Sequence, residues 1–276
     1  MKSSDGVRQG LHLNGATIMT TPTERQVEIA RDVGFAGVEV RAERLLDRPD
    51  EVRAAARLVR PGEVWSLNGI QIKVDGDGRL RRDVLDLELP PRLEICQAVG
   101  AAYLLVVPPR IAGVAANAAL PAVTEGLAII RDAAAASGLR MAFEFLGFAD
   151  CPIDTPELAA RVADAVPGAD LVIDSCHWHA SGSRPLDGFP VDRLAMVHLN
   201  DAPAKPPREI EDADRVLPGR GVIRLAALVG ALRAAGYDGP WSLETFNESY
   251  WAADPELVAS EGFRLTSEVL REAARA

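Results

Sequence analysis

Residues 139–145 read LRMAFEF, a short apolar run that closes on a carboxylate, Glu144. Side chains alternate along a strand, so Ala142 and Glu144 share one face while Met141, Phe143 and Phe145 share the other. That describes a strand with its bulky face against helices and its narrow face turned into a confined interior. Three further runs repeat the plan: LVID ends on Asp174, AMVH on His198 and WSLE on Glu244. Parity holds here too, with Ser242 and Glu244 opposite Trp241 and Leu243, and Met196, His198 and Asn200 opposite Ala195, Val197 and Leu199. The intervals between the four polar ends are 30, 24 and 46 residues, one or two strand-plus-helix units each.

Working outward, apolar runs alternate with helix-like stretches along the whole chain. The pattern predicts strands at 11–16, 36–41, 63–69, 102–108, 139–145, 170–175, 193–199 and 240–245. Eight such units close a parallel α/β barrel, the (β/α)8 or TIM-barrel class, as a single domain over 1–276 with residues 1–10 expected to be a disordered leader. Helix signals agree. Thr124 precedes EGLAIIRDAAAAS and Gly138 stops it, Thr155-Pro156 opens ELAARVADAV, and Asp254-Pro255 opens the last helix. The longest polar connection after a strand runs from Asp201 to Gly221, on the face where barrels place their chemistry.

Bulk properties narrow the function classes. At 276 residues with 48% hydrophobic and 25% charged content, the chain has material for one large core. A net charge of -10 argues against a surface built to grip nucleic acid. The runs are too short to span a membrane, and the polar start MKSSDGVRQG does not resemble a signal peptide. Cys96, Cys151 and Cys176 form no CxxC pair, which sets a reduced, cytoplasmic expectation. Cys176 sits between Asp174 and His177 but has no separate base partner, so it makes a poor nucleophile.

Taken singly, a carboxylate at a strand end is commonly an ion-pair partner, and a lone histidine is commonly a hydrogen-bonded core group. Four on four strands with matching parity point instead to a divalent-metal site of Glu144, Asp174, His198 and Glu244. Parity also turns Glu39 and Arg41 to one face of the second strand, and Asn68 with Ser66 to one face of the third. In DSCHWH, His177 and His179 are open between contacts to the site and a cap of the loop. Arg215, in DADRVLPGRG, is open between a substrate donor and a solvent ion pair. The PGRG turn lacks the lysine and the strand-to-helix setting of a phosphate loop.

The ladder FEFLG, IDSCHWHASGS, VHLND, DRVLPGRGVI and SLETF, with LNGAT, VEVR and SLNG upstream, resembles the xylose-isomerase-like sugar isomerase and epimerase superfamily. Within it, the likeness is to the inosose (2-keto-myo-inositol) isomerases. The resemblance implies metal ligation by Glu144, Asp174, His198 and Glu244, and substrate contacts near Asn14, Glu39, Arg41, Asn68, His177 and Arg215. It implies one divalent ion (Mn²⁺, Mg²⁺, Co²⁺ or Zn²⁺), no organic cofactor, and a polyol or keto-sugar substrate, and it leaves a homo-oligomer open. Two positions depart from that pattern. Gly15 stands for an acidic residue and Asn247-Glu248 for Arg-Pro, departures expected to enlarge and re-charge one wall of the pocket.

Such a site suits isomerisation or epimerisation of a polyol ketone through an enediolate, with Glu144 and Glu244 exchanging roles as base and acid. A dehydratase or lyase needs only a differently placed acid. A DNA-repair endonuclease of the AP-endonuclease type would need extra histidine ligands where Asn68 and Pro108 stand. A sugar-binding barrel without catalysis is a further alternative.

Overall fold

The computed structural model describes residues 10–275. Eight strands follow one another in order: β1 (Leu11–Asn14), β2 (Gly37–Arg41), β3 (Val64–Gln71), β4 (Tyr103–Val107), β5 (Arg140–Glu144), β6 (Asp170–Asp174), β7 (Leu194–Leu199) and β8 (Trp241–Leu243). Each pairs in parallel with the next, and β8 pairs with β1 (His12 with Ser242) to close the barrel. All eight expected strands are present, trimmed by one or two residues at most ends.

The expected leader lies outside the described residues except for Gly10. That residue is tied to the barrel, because its carbonyl accepts a hydrogen bond from the Trp241 amide at 2.9 Å.

The helices are α1 (Thr23–Val33), α2 (Ala42–Leu45), α3 (Pro49–Leu58), α4 (Arg82–Val99), α5 (Ala116–Ala136), α6 (Pro156–Ala165), α7 (Ser175–Ala180), α8 (Leu225–Ala234), α9 (Glu248–Trp251) and α10 (Pro255–Glu272). Outward-facing strand residues such as Met141, Phe143, Phe145, Val197 and Leu243 are buried against them. Burial of each such side chain contributes about 1.5–3 kcal/mol, which is why the apolar runs settle as two-sided buried strands.

Inside the barrel a second cluster of Trp65, Tyr103, Leu105, Ala142, Val172 and Met196 packs one layer below the polar strand ends. The register shifts at three strand pairs, β2–β3, β3–β4 and β6–β7. Val38 pairs with Val64 but Val40 pairs with Leu67, so β3 carries an extra residue. The bulge lets Trp65 stack on Tyr103 (ring centroids 4.5 Å apart) and Ser66 still reach Glu39 inside the barrel (2.7 Å).

The caps at α6 and α10 form as expected. Thr155 Oγ1 accepts from the Leu158 amide at 3.3 Å, and Asp254 accepts from the amides of Glu256 and Leu257. Gly138, with φ of +74°, follows the end of α5. The start of α5 is corrected. It begins at Ala116, eight residues before Thr124, and carries Pro121 inside it. Ala119, Val123, Leu127, Ile130 and Ala134 form a fully buried stripe at helical spacing, and that burial outweighs the break expected at proline.

Candidate metal centre and substrate cavity

Glu144 and Asp174 are the last residues of β5 and β6, His198 is the penultimate residue of β7, and Glu244 follows directly on β8. One ligand atom from each lies within 4.8 Å of all the others, and all four residues are buried. His198 Nδ1 faces Glu144 Oε1 at 2.9 Å and Glu244 Oε2 at 3.3 Å. Its Nε2 faces the Glu39 carboxylate at 3.1 and 3.3 Å.

The donor set fits a divalent ion. Glu39, Glu144, Asp174 and Glu244 place four buried carboxylates at this end of the barrel, and Arg41 and Arg215 answer them with two buried guanidinium groups. Glu43 and Asp212 also pair with these two arginines, so negative charge stays in excess and an ion of charge two would offset part of it; oxygen-rich sites with one imidazole suit hard or borderline metals.

The titration directions report the same crowding. Burial works against the charged form of His198, but Glu244, Glu39 and Glu144 outweigh it and raise the imidazole well above its ordinary pKa. Burial pushes Glu144 up to about 7, against the pull of His198. Burial also raises Asp174 against the Arg215 charge beside it. Glu244 goes the other way. Burial opposes it, yet His198, Arg215 and Arg41 together depress its pKa.

Glu244 is saturated with donors. Asn14 Nδ2 (2.9 Å) and Arg41 Nη1 (3.1 Å) reach Oε1, and Arg215 Nη1 (2.9 Å) reaches Oε2. Arg215 Nη1 also touches Asp174 Oδ2 at 3.1 Å, and its Nη2 meets Asp212 at 2.7 Å and His177 Nε2 at 3.0 Å. The Arg215 Nη2–H must donate to His177, so the His177 Nε2 is the unprotonated nitrogen. Burial and the neighbouring Arg215 charge lower its pKa accordingly.

Arg215 is therefore interior, not a solvent ion pair. Its guanidinium and that of Arg41 stand over the Phe246 ring, at 5.1 and 4.9 Å. His179 turns away from the ligands, with Nδ1 at 3.3 Å from Ser183 Oγ within its own loop.

A cavity of about 360 Å³ opens over this centre, a size that suits a small polyhydroxylated ring. Arg41, Asn68, Glu144, His177, Arg215 and Glu244 line it. Asn14 and Glu39 were expected to touch substrate, but the structure places both behind the lining. Each is fully buried, and their polar atoms are consumed by one another, by Asn68, by Ser66 and by the ligands.

The two departures do not enlarge the pocket either. A side-chain carbon at Gly15 would sit 2.5 Å from Gln26 Oε1 and 3.3 Å from Arg41 Cγ, so that space is already filled. Asn247 Nδ2 donates to the Arg215 carbonyl at 3.0 Å and its Oδ1 caps α9, while Glu248 is exposed.

Sequence reasoning missed several members of the network. Glu43 grips Arg41 (Nη2 to Oε1, 2.8 Å), and Asp212 grips Arg215 from three residues away. Phe246 lies two positions beyond Glu244, and Asn200 donates to Asp174 Oδ2. Strand parity already turned Asn200 and Ser242 inward; Glu43 and Asp212 lie on connections, where parity has no meaning. Cys176 is buried with its thiol pushed up to about 12, chiefly by burial, which removes it as a nucleophile.

Residues 27–271 match the model of the xylose isomerase-like TIM barrel family. The chain belongs to that family. An inosose isomerase of Bacillus velezensis is 28% identical over 276 aligned residues, covering 94% of each protein. A crystal structure of the IOLI protein with a bound zinc atom superposes with a TM-score of 0.86 at 24% identity, over 96% of this chain and 99% of that one. A 3-dehydroshikimate dehydratase of Pseudomonas aeruginosa is 30% identical over 265 residues, 90% of this chain but 40% of that longer protein. Among the described residues no helix is long and apolar enough to cross a membrane.

Proposed function

We propose that this family member is an isomerase of an inosose or a closely related unphosphorylated polyol ketone, working with one divalent ion held by Glu144, Asp174, His198 and Glu244. The observation that carries this is the convergence of those four buried side chains within 4.8 Å, beside a small cavity that Glu144 and Glu244 line. Full-length likeness to an inosose isomerase supports the substrate class. Zinc in the IOLI structure supports zinc as one candidate ion, beside Mn²⁺, Mg²⁺ and Co²⁺. When bound, the ion would polarise the substrate carbonyl and stabilise the negative charge of the enediolate.

The protein's own groups divide the remaining work. Glu144 is engaged through Oε1 alone, which leaves an oxygen free to take the proton from the carbon beside the carbonyl. Glu244 comes from the other end of the four-strand run, directly after β8, and we assign it the return of a proton. Arg41 and Arg215 hold its orientation and favour negative charge in the cavity. His177 and Asn68, on the wall, are placed to orient ring hydroxyls. A neutral substrate is favoured because the four arginines that line the cavity, Arg41, Arg92, Arg110 and Arg215, already have carboxylate partners, while Lys73 at its edge bonds the Gln71 side chain.

One observation supports a second reading. The dehydratase relative aligns with 90% of this chain, and loss of a β-hydroxyl from the same enediolate needs only an acid on the leaving oxygen. Incubating metal-loaded protein with 2-keto-myo-inositol in D₂O separates the two. An isomer carrying solvent deuterium beside the carbonyl supports the isomerase. A product lighter by one water moves the assignment to a dehydratase, and conversion without deuterium would sink proton transfer altogether.

A further inference from the structure

Glu39 has no use in the chemistry above, yet it is a fully buried carboxylate with every lone pair engaged. Its Oε1 accepts from Asn14 Nδ2 at 3.2 Å and from the Ser242 hydroxyl. Its Oε2 accepts from Ser66 Oγ at 2.7 Å and Asn68 Nδ2 at 3.0 Å. Both oxygens face His198 Nε2, at 3.1 and 3.3 Å. The opposite ring nitrogen, Nδ1, is the one turned to Glu144 and Glu244. A carboxylate held on one side of an imidazole demands an N–H there and leaves the lone pair on the other nitrogen.

We propose that Glu39 is a positioning residue that fixes His198 as the Nε2–H tautomer, with Nδ1 aimed at the metal, and that it makes no contact with substrate. The inference rests on the metal reading above and adds the group that orients its single nitrogen ligand. The arrangement explains why the Glu39 carboxylate is itself braced. Ser66, Asn68, Ser242 and Asn14 come from three different strands and pin both oxygens, so the carboxylate cannot turn away from the ring. It also explains the β3 bulge, which lets Ser66 face inward without displacing Trp65 from the layer below.

The decisive experiment loads zinc into the wild-type protein and reads the His198 ring by ¹⁵N-edited NMR. Zinc affinity of wild type and Glu39→Gln is then measured by competition with a chromophoric chelator, with circular dichroism as the check on folding. The expected result is metal on Nδ1 and a proton on Nε2. Glu39→Gln, which keeps the size but loses the second acceptor oxygen, is expected to bind zinc 10- to 100-fold more weakly with unchanged dichroism. Zinc on Nε2, or a Glu39→Gln affinity within twofold of wild type, overturns the proposal. If Glu39→Gln does not fold, the wild-type ring spectrum decides alone. Wild-type protein that takes up no zinc would remove the metal reading itself, a different failure from zinc that binds equally with and without Glu39.

Discussion

Glu144 and Glu244 are the same residue type at equivalent strand ends, yet their surroundings push them apart. One oxygen of Glu144 has a single partner, whereas both oxygens of Glu244 are filled by Asn14, Arg41, Arg215 and His198. Both are expected to matter. Glu144→Gln and Glu244→Gln should each lower turnover by at least ~10²-fold, the scale of a lost general acid or base, measured as kcat at saturating metal. Either variant turning over at the wild-type rate would remove that residue from proton transfer. Arg215 makes a contrasting case, since it touches two ligand residues but supplies no ligand atom of its own. Arg215→Ala should lose about 10²-fold in kcat/KM while its metal affinity stays within about tenfold of wild type. Equal losses in both would make Arg215 a support of the metal alone. At this scale the sequence was informative for the four side chains that converge and poor for their supports. Glu144, Asp174, His198 and Glu244 stand out because each ends an apolar run with the right parity. Glu39 and Asn14 carry the same parity, but nothing in a linear pattern separates a residue lining a cavity from one a layer behind it.

Strands were legible because a parallel barrel buries both faces, so each appears as a short apolar run bounded by turn residues. The helices were legible where capping chemistry is local. Thr155 and Asp254 close hydrogen bonds to amides two or three residues on, which any reader of the sequence can anticipate. The start of α5 was not legible, because Thr124 looks like a cap but lies inside a helix whose buried stripe runs on both sides of it. The β3 bulge was equally hidden, as its cause is the fit of Trp65 against Tyr103 on a neighbouring strand. A true cap should behave differently from a false one. Thr155→Ala is expected to destabilise the fold by about 1 kcal/mol, since it orphans the Leu158 amide. Thr124→Ala should change stability by less than about 0.5 kcal/mol, as expected away from caps and core. Chemical denaturation of the two variants under one condition tests the contrast, and equal costs would show that the Thr155 cap contributes nothing specific.

The whole molecule joins these scales, because the four proposed ligands stand at the ends of β5, β6, β7 and β8, and β8 is the strand that closes the barrel onto β1. An ion bound there would tie four consecutive strand ends together and bind only the closed barrel, since the unfolded chain scatters the proposed ligands, consecutive ones standing up to 46 residues apart. Metal should therefore raise the apparent stability by mass action, by about 2.7 kcal/mol at a free concentration 100 times the Kd. For a chain of 276 residues that corresponds to a rise in Tm of roughly 5 °C. The barrel core lies beneath the site and does not depend on it, so His198→Ala should fold with its dichroism intact, bind the ion weakly, and lose the thermal shift. Thermal melts of both proteins with and without Zn²⁺ or Mn²⁺, after chelator treatment, make the comparison. A shift in His198→Ala as large as that of the wild type would place the stabilising ion elsewhere on the molecule and detach the metal from this cavity.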